Sequence, residues 1–343
     1  MMIKRLTTTI AALSAILASA GEPATDVRAM PGAPAKEPAA APNGAVKVAG
    51  IEEALARFSH SVPLQDTSDM GRFCVEAKVE GKVFWMMVDS GADGIILNKT
   101  IADAAGINLE ANGTATGATG SSAWAMYTGV AKSFKVGPVE IQNKRLTVID
   151  LSALGSISVN QAEYPRGGQL GSGFLHSVSA AVDYGKGRLL IPTAKMQDGI
   201  AGLYQQAGYA VIPMAMVNGR FYVLAMLGEQ PVFFFCDTGA NAMSLRLDYA
   251  RSLGATISER KGKHTTLDGT AGSQLVTVIP KLTVGPVVAP NILFFLIDDK
   301  KPMLKIGEVP VVGLMGGNFL KPAKAVLDFG SCKMVLGSVK RKK

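Results

Sequence analysis

Apolar residues fall in short runs of Val, Ile and Phe that are broken by glycines, a pattern that predicts strands and turns rather than long helices. Phe73 to Glu80 and Val83 to Val88 predict a strand pair around Gly81-Lys82, and Phe221 to Met226 with Pro231 to Cys236 predict another. Asn98 to Ala105 and Leu245 to Leu253 predict short helices, each ended by a glycine suited to a left-handed C-cap, Gly106 and Gly254.

The similarity between these two groups of elements extends along the chain. Arg72-Phe73-Cys74-Val75 recurs 148 residues later as Arg220-Phe221-Tyr222-Val223, and Asp89-Ser90-Gly91-Ala92 recurs as Asp237-Thr238-Gly239-Ala240. Val136-Gly137-Pro138-Val139 and Val284-Gly285-Pro286-Val287 keep that offset. It then drops to 145, where Gly171-Ser172-Gly173-Phe174-Leu175 answers Gly316-Gly317-Asn318-Phe319-Leu320, and Val182-Asp183-Tyr184-Gly185 answers Leu327-Asp328-Phe329-Gly330. So many ordered matches mark an internal duplication with a small loop deletion. The expected organisation is two homologous, mostly β lobes over 66–195 and 208–338, with a connector at 196–207.

The ends of the chain read differently. Met1 to Arg5 carry positive charge, Thr7 to Leu17 are small and apolar, and Ala18-Ser19-Ala20 offers an A-x-A cleavage site. The pattern predicts a cleaved signal peptide over 1–20 and an exported protein, periplasmic or secreted. The alternative, a membrane anchor, needs a span of roughly 20 apolar residues, which this stretch does not reach. Residues 21–65 begin as a Pro/Ala-rich linker, and Ile51 to Phe58 predict a short amphipathic helix within it, either a plain N-terminal helix or a pro-segment remnant. The basic tail 339–343 contributes to a net charge of +8, and reads as a solvated end.

Composition narrows the chemistry. No aromatic-basic stripe or nucleic-acid motif is present, and the three histidines, His60, His176 and His264, are scattered. Cys74, Cys236 and Cys332 are odd in number and lack metal-ligand spacing, with Cys236 inside an apolar run that predicts a buried thiol. Neither a metal site nor a cofactor is expected. The repeated Asp-Ser/Thr-Gly remains. Each copy follows an apolar strand, FWMMV before Asp89 and VFFFC before Asp237, which leads a carboxylate toward the interior. Small residues after each aspartate allow a sharp turn, and the Ser90 and Thr238 hydroxyls can bond the partner loop's backbone. A pseudo-two-fold axis between the repeats would bring Asp89 and Asp237 face to face, where the pair holds one proton between them. One carboxylate then acts as base on a water while the other polarises a carbonyl. The bland reading is two structural turns, which would need neither the apolar strand nor the paired placement.

With its D-[ST]-G-A motif in each half, the sequence resembles the retropepsin-like and pepsin-like aspartic proteases, and it is most similar to a bacterial retropepsin-like protease in tandem form. The resemblance implies acid-protease-like β-barrel lobes with short helices, a pseudo-two-fold relation, and an intramolecular pseudo-dimer acting as a monomer on a peptide or protein substrate. It gives Asp89 and Asp237 the catalytic role, supported by Ser90, Gly91, Thr238 and Gly239. It gives Gly171 and Gly316 the place beside the turn, where Leu314-Met315-Gly316 fits the hydrophobic-hydrophobic-Gly pattern and Gln169-Leu170-Gly171 departs from it. Flaps are implied at Gly117-Ala118-Thr119-Gly120 and Asp268-Gly269-Thr270. Asp93 matches the family acid that binds substrate backbone. Its counterpart is Asn241, so the halves of the cleft are expected to differ, and the family's arginine in the G-R-[DN] segment is absent because Ser172 and Gly317 stand there. Ala92 and Ala240 lack the hydroxyl of pepsin-like enzymes, which implies a dyad active nearer weakly acidic or neutral pH.

Two other functions compete with a self-contained endopeptidase. Lobes could pair with their own copies in another chain, or the fold could bind peptides or envelope polymers without cutting them.

Overall fold

A two-residue turn builds the first hairpin of each repeat. Glu80 and Gly81 both take positive φ, 46° and 77°, between strands Phe73–Val79 and Lys82–Val88. Such a turn matches the twist of antiparallel strands. It lies one residue before the Gly81-Lys82 expected from sequence. In the second repeat, strand Arg220–Leu227 is entered through Asn218-Gly219 and left through Gly228 toward Gln230–Cys236. The computed structural model describes residues 50–67, 71–116, 123–260, 274–298 and 301–338. The predicted leader, linker residues 21–49, the candidate flap residues 117–120 and 268–270, and the basic tail 339–343 lie outside the described residues.

The protein is mostly β, and each repeat forms a barrel-like sheet. In the first, the strands run in the order 65–66, 73–79, 82–88, 168–170, 95–98, 139–149, 123–136 and 109–116, and a further pairing of 73–79 with 123–136 curls the sheet onto itself. The second repeats the central part of this order: Gln230–Cys236 pairs in parallel with Val309–Met315, which pairs antiparallel with Ser244–Arg246. Alternation along Phe73–Val79 and Lys82–Val88 sends Val75, Ala77, Val79, Phe84, Met86 and Val88 into the main core. Cys74, Trp85 and Met87 point the other way, beneath Ile157 and Val159 of the hairpin 156–165. Fully burying a large apolar side chain contributes about 1.5–3 kcal/mol, and Phe134, Phe174, Phe234 and Phe294 are all buried.

A third layer joins the repeats. Strands 59–63, 188–192, 181–183, 326–328, 333–338 and 209–217 form a continuous run of sheet. At its centre Val182 pairs with Leu327, its own equivalent in the duplication, which puts the pseudo-two-fold axis between them. Helix Ile51–Phe58 and a second helix, Gly199–Gln206, cover this sheet through a cluster of Leu55, Ala181, Leu190, Ile200, Tyr204 and Val326. Residues 196–207, read from sequence only as a connector, thus hold a packed helix, and strand Ser59–Pro63 belongs to the folded unit rather than to a linker. Arg188 fastens the first helix, bonding Glu52 at 2.7 Å and the buried Asp183 at 2.9 Å. Among the described residues, no helix is long and apolar enough to cross a membrane.

Candidate active site

The strands Lys82–Val88 and Gln230–Cys236 each run through the core and release their chain at an aspartate. The strand alongside sets the turn: Asp89 N donates to Leu170 O at 3.0 Å, and Asp237 N to Met315 O at 3.1 Å. Gly171 and Gly316 follow those carbonyls, and both are sterically required. A Cβ on Gly171 would lie 2.5 Å from the Ala92 carbonyl oxygen, and one on Gly316 would lie 2.5 Å from that of Ala242. The two glycines predicted to pass beside the turn do so, and the amides just after them donate to Ala92 O and Ala240 O.

The two turns interlock through their hydroxyls. Ser90 Oγ donates to Cys236 O at 2.7 Å and accepts from Thr238 N at 3.0 Å. Thr238 Oγ1 donates to Val88 O at 2.8 Å and accepts from Ser90 N at 2.9 Å. Both side chains are buried, so these four bonds are made away from competing water.

This lock brings Asp89 and Asp237 together. A Cβ on Gly91 would stand 2.8 Å from Asp237 Oδ1, and one on Gly239 would stand 2.4 Å from Asp89 Cγ, so each carboxyl lies against the glycine of the opposite turn. Gly91 N donates to Asp89 Oδ1 and Gly239 N to Asp237 Oδ1, both at 2.9 Å. Burial pushes both acids above the ordinary carboxylate range; for Asp89 the charge of Asp237 adds to that, and the Gly91 amide opposes it. Two carboxyls held this way titrate as one pair and retain a shared proton well above the pH at which a free aspartate loses its own.

Two side chains to which the sequence analysis gave no role touch this arrangement. Gln169 Nε2 donates to Asp89 Oδ2 at 2.6 Å. Its only signal in the sequence was the polar residue in the hydrophobic-hydrophobic-Gly pattern. Arg220, from the second repeat, reaches across to Gly91 O at 2.5 Å and lies 3.5 Å from Asp93 Oδ1, with its guanidinium over the Phe235 ring. Asp93 is thus faced by an arginine of the opposite repeat; its carboxylate is 77% exposed. Strands 109–116 and 123–136 lead to and from the first candidate flap, as 257–260 and 274–284 do for the second.

The cysteines are free thiols: Cys74 and Cys236 are buried and Cys332 is half-buried. Burial pushes Cys74 up to about 12. Among the described residues, no cluster of three His, Cys, Asp or Glu side chains is arranged to hold a metal ion.

Two family models match, one in each repeat. Residues 75–174 match an aspartyl protease model, and residues 223–322 match a gag-polyprotein putative aspartyl protease model. Among solved structures, the aspartic proteinase from Irpex lacteus matches at 14% identity and a TM-score of 0.45, over 82% of this chain and 98% of its own. No curated protein sequence matches the chain. The matched segments begin inside the first strand of each hairpin and each contains one Asp-Ser/Thr-Gly-Ala turn with the glycine that packs on it. With an aspartyl protease domain in each half, the chain belongs to the retropepsin-like aspartic proteases as a tandem member.

Proposed function

We propose that this aspartic-type protease is an endopeptidase with one active site per chain, in which a water held between Asp89 and Asp237 attacks the scissile carbonyl. The observation that carries this reading is the approach of two carboxyl groups, one from each repeat, each lying against the glycine of the opposite turn. With one proton between them, the ionised carboxylate takes a proton from the water as its oxygen bonds to the carbonyl carbon. The protonated partner donates to the carbonyl oxygen, giving a neutral tetrahedral diol. One aspartate then returns a proton to the amide nitrogen while the other takes a proton from a diol hydroxyl, so the C–N bond breaks, the amine and the acid are released, and the pair again holds one proton. The glycine amides on Oδ1 of each aspartate and the hydroxyl lock hold the pair in place, so little reorganisation accompanies the reaction.

The raised affinity of the pair for its proton, together with Ala92 and Ala240 in place of hydroxyl donors, supports activity in the weakly acidic to neutral range. The N-terminal leader pattern supports action outside the cytoplasm. The test is cleavage of a mixed peptide library from about pH 3.5 to 7.5, with Asp89→Asn and Asp237→Asn beside the wild type and a dilution series of each. Loss of cleavage in both variants, with wild-type specific activity independent of dilution, is the expected result. Cleavage surviving in one variant would mean that like lobes pair between chains. A folded wild type that cuts nothing at any pH would make the fold a peptide-binding module.

A further inference from the structure

Both barrels have the same gap in their sheet, and only one of the two gaps is charged. Strand Ala123–Val136 pairs with 109–116 as far as residue 129 and with 73–79 from residue 134, so residues 130–133 have no strand on that side. Strand Gln274–Val284 is bared in the same way between residues 277 and 282. An exposed valine marks each gap, Val130 and its equivalent Val278. Around Val130 the gap opens into a cleft of about 410 Å³, lined also by Glu80, Glu110, Thr128, Lys132 and Arg145. That volume lies in the range of small-ligand sites. At the same five positions the second repeat carries Gly228, Ser258, Val276, Pro280 and Leu293.

Strand register fixes the order of the charges. Glu110 pairs with Thr128 and Arg145 with Val130, and alternation puts Thr128, Val130 and Lys132 on one face. Along the strand the cleft therefore presents the Glu110 carboxylate first, the Arg145 guanidinium beside Val130 next, and the Lys132 ammonium last. The first and last of these rows are four residues apart, about 13 Å. Glu80, at the Lys132 end, is already engaged, since its Oε1 accepts from the backbone amides of Lys132 and Ser133. Arg145 Nη2 donates to Thr128 Oγ1 at 3.3 Å. Among the described residues, the side chains of Glu110 and Lys132 have no bonded partner. An acid at one end, bases toward the other and an apolar residue between them complement an extended chain with opposite charges at its ends. The cleft is separate from the dyad: Glu80 and Asp89 flank opposite ends of strand Lys82–Val88, about 20 Å apart.

We propose that this cleft binds a short peptide with free ends, about three to four residues long. Its ammonium group pairs with Glu110, its carboxylate pairs with Lys132 and Arg145, and an apolar side chain covers Val130. Such peptides are a class of molecule that proteolysis itself releases. The site does not depend on how the dyad acts.

The experiment is calorimetric titration of the protein with the tripeptide Ala-Leu-Ala, compared with its N-acetylated, C-amidated and doubly blocked forms. The free tripeptide is expected to bind one to one, and each block to weaken binding by about tenfold, the worth of one charge-assisted hydrogen bond. Glu110→Ser, which copies the second repeat at an exposed position, should weaken the free tripeptide by the same factor and leave the N-acetylated form unchanged. Lys132→Gln combined with Arg145→Leu should weaken the free tripeptide and leave the C-amidated form unchanged. No saturable binding, or equal binding of the free and doubly blocked forms, overturns the site. Charge-dependent binding that survives Glu110→Ser at full strength places the peptide elsewhere, the dyad cleft included, and overturns it as well. None of these measurements involves cleavage, so the endopeptidase reading stands or falls separately.

Discussion

Gln169 donates its side-chain amide to Asp89 Oδ2 at 2.6 Å, while the equivalent residue of the second repeat, Leu314, has no group to offer Asp237. Both oxygens of Asp89 therefore accept from N–H donors, Gly91 on Oδ1 and Gln169 on Oδ2. Asp237 accepts the Gly239 amide on Oδ1. Donors favour the ionised form of a carboxyl, so Gln169 biases Asp89 toward ionisation, against the burial and the Asp237 charge that raise its pKa. In Gln169→Leu, which copies the second repeat, that bias is lost and the ionisation needed for activity moves to higher pH. The acid limb of the kcat/KM profile is expected to rise by about one pH unit, with a smaller change in the basic limb. An acid limb that stays in place would show that the amide only packs.

The same burial that raises both carboxyls makes the site costly to the fold at neutral pH. The folded-state values lie above the ordinary aspartate value, so the native protein binds protons more tightly than the unfolded chain. Stability contributed by this pair is present below pH of about 3.9, and falls as pH rises toward the folded-state values. Asp237→Asn removes one of the two acids. At pH 7 it is expected to raise Tm by about 2–6 °C, corresponding to about 1–2 kcal/mol, while abolishing cleavage. At pH 3.5 the difference from wild type should shrink. Thermal scans at both pH values check this, and a variant less stable than wild type at pH 7 would contradict it.

Most of what places the dyad is local, and so legible in the sequence. The apolar strand, the hydroxyl and the glycines occupy adjacent positions, and the duplication pairs them without any knowledge of long-range contacts. Gln169 and Arg220 were visible only as departures or repeats without a role. Their contacts with Asp89 and Gly91 join residues 80 and 129 positions apart in the chain. The sheet joining the lobes was hidden for the same reason: Val182 and Leu327 were recognised as equivalents, but nothing local says that equivalents pair with each other. Helix Gly199–Gln206 carries two glycines in eight residues, a composition that weakens a helix by itself. Packing of Ile200, Ala201 and Tyr204 on the sheet stabilises it.

Tyr184 and Phe329 are equivalents in the duplication, and each packs edge-on against the phenylalanine that follows a repeat arginine, Phe73 at 5.1 Å and Phe221 at 5.0 Å. Tyr184 adds a hydroxyl that is buried with no partner among the described residues. Burial first, and then the charges of Asp237, Cys236 and Asp89, keep that hydroxyl from ionising. A buried hydroxyl without a partner costs about 1–3 kcal/mol. Tyr184→Phe, which reproduces the second repeat, is therefore expected to raise the urea midpoint by an amount worth about 1 kcal/mol at unchanged m. A fall in the midpoint would mean that the hydroxyl makes a stabilising bond.

The two interlobe contacts at the turns should differ sharply in weight. Thr238 Oγ1 is buried and serves two backbone groups of the opposite repeat, donating to Val88 O and accepting from Ser90 N. Thr238→Val keeps the shape and leaves both groups without a partner, a loss of about 2–4 kcal/mol. The Arg220–Asp93 pair is 3.5 Å apart with its carboxylate 77% exposed. Exposed pairs contribute about 0–1 kcal/mol, so Asp93→Asn is expected to leave the urea midpoint almost unchanged. The turns are also what align Asp89 with Asp237, so Thr238→Val should lower kcat even under conditions where it is fully folded. Unfolding midpoints and kcat measured on both variants separate the two contacts. If Asp93→Asn is the more destabilising, the lock between the repeats resides in the arginine contact rather than in the hydroxyls.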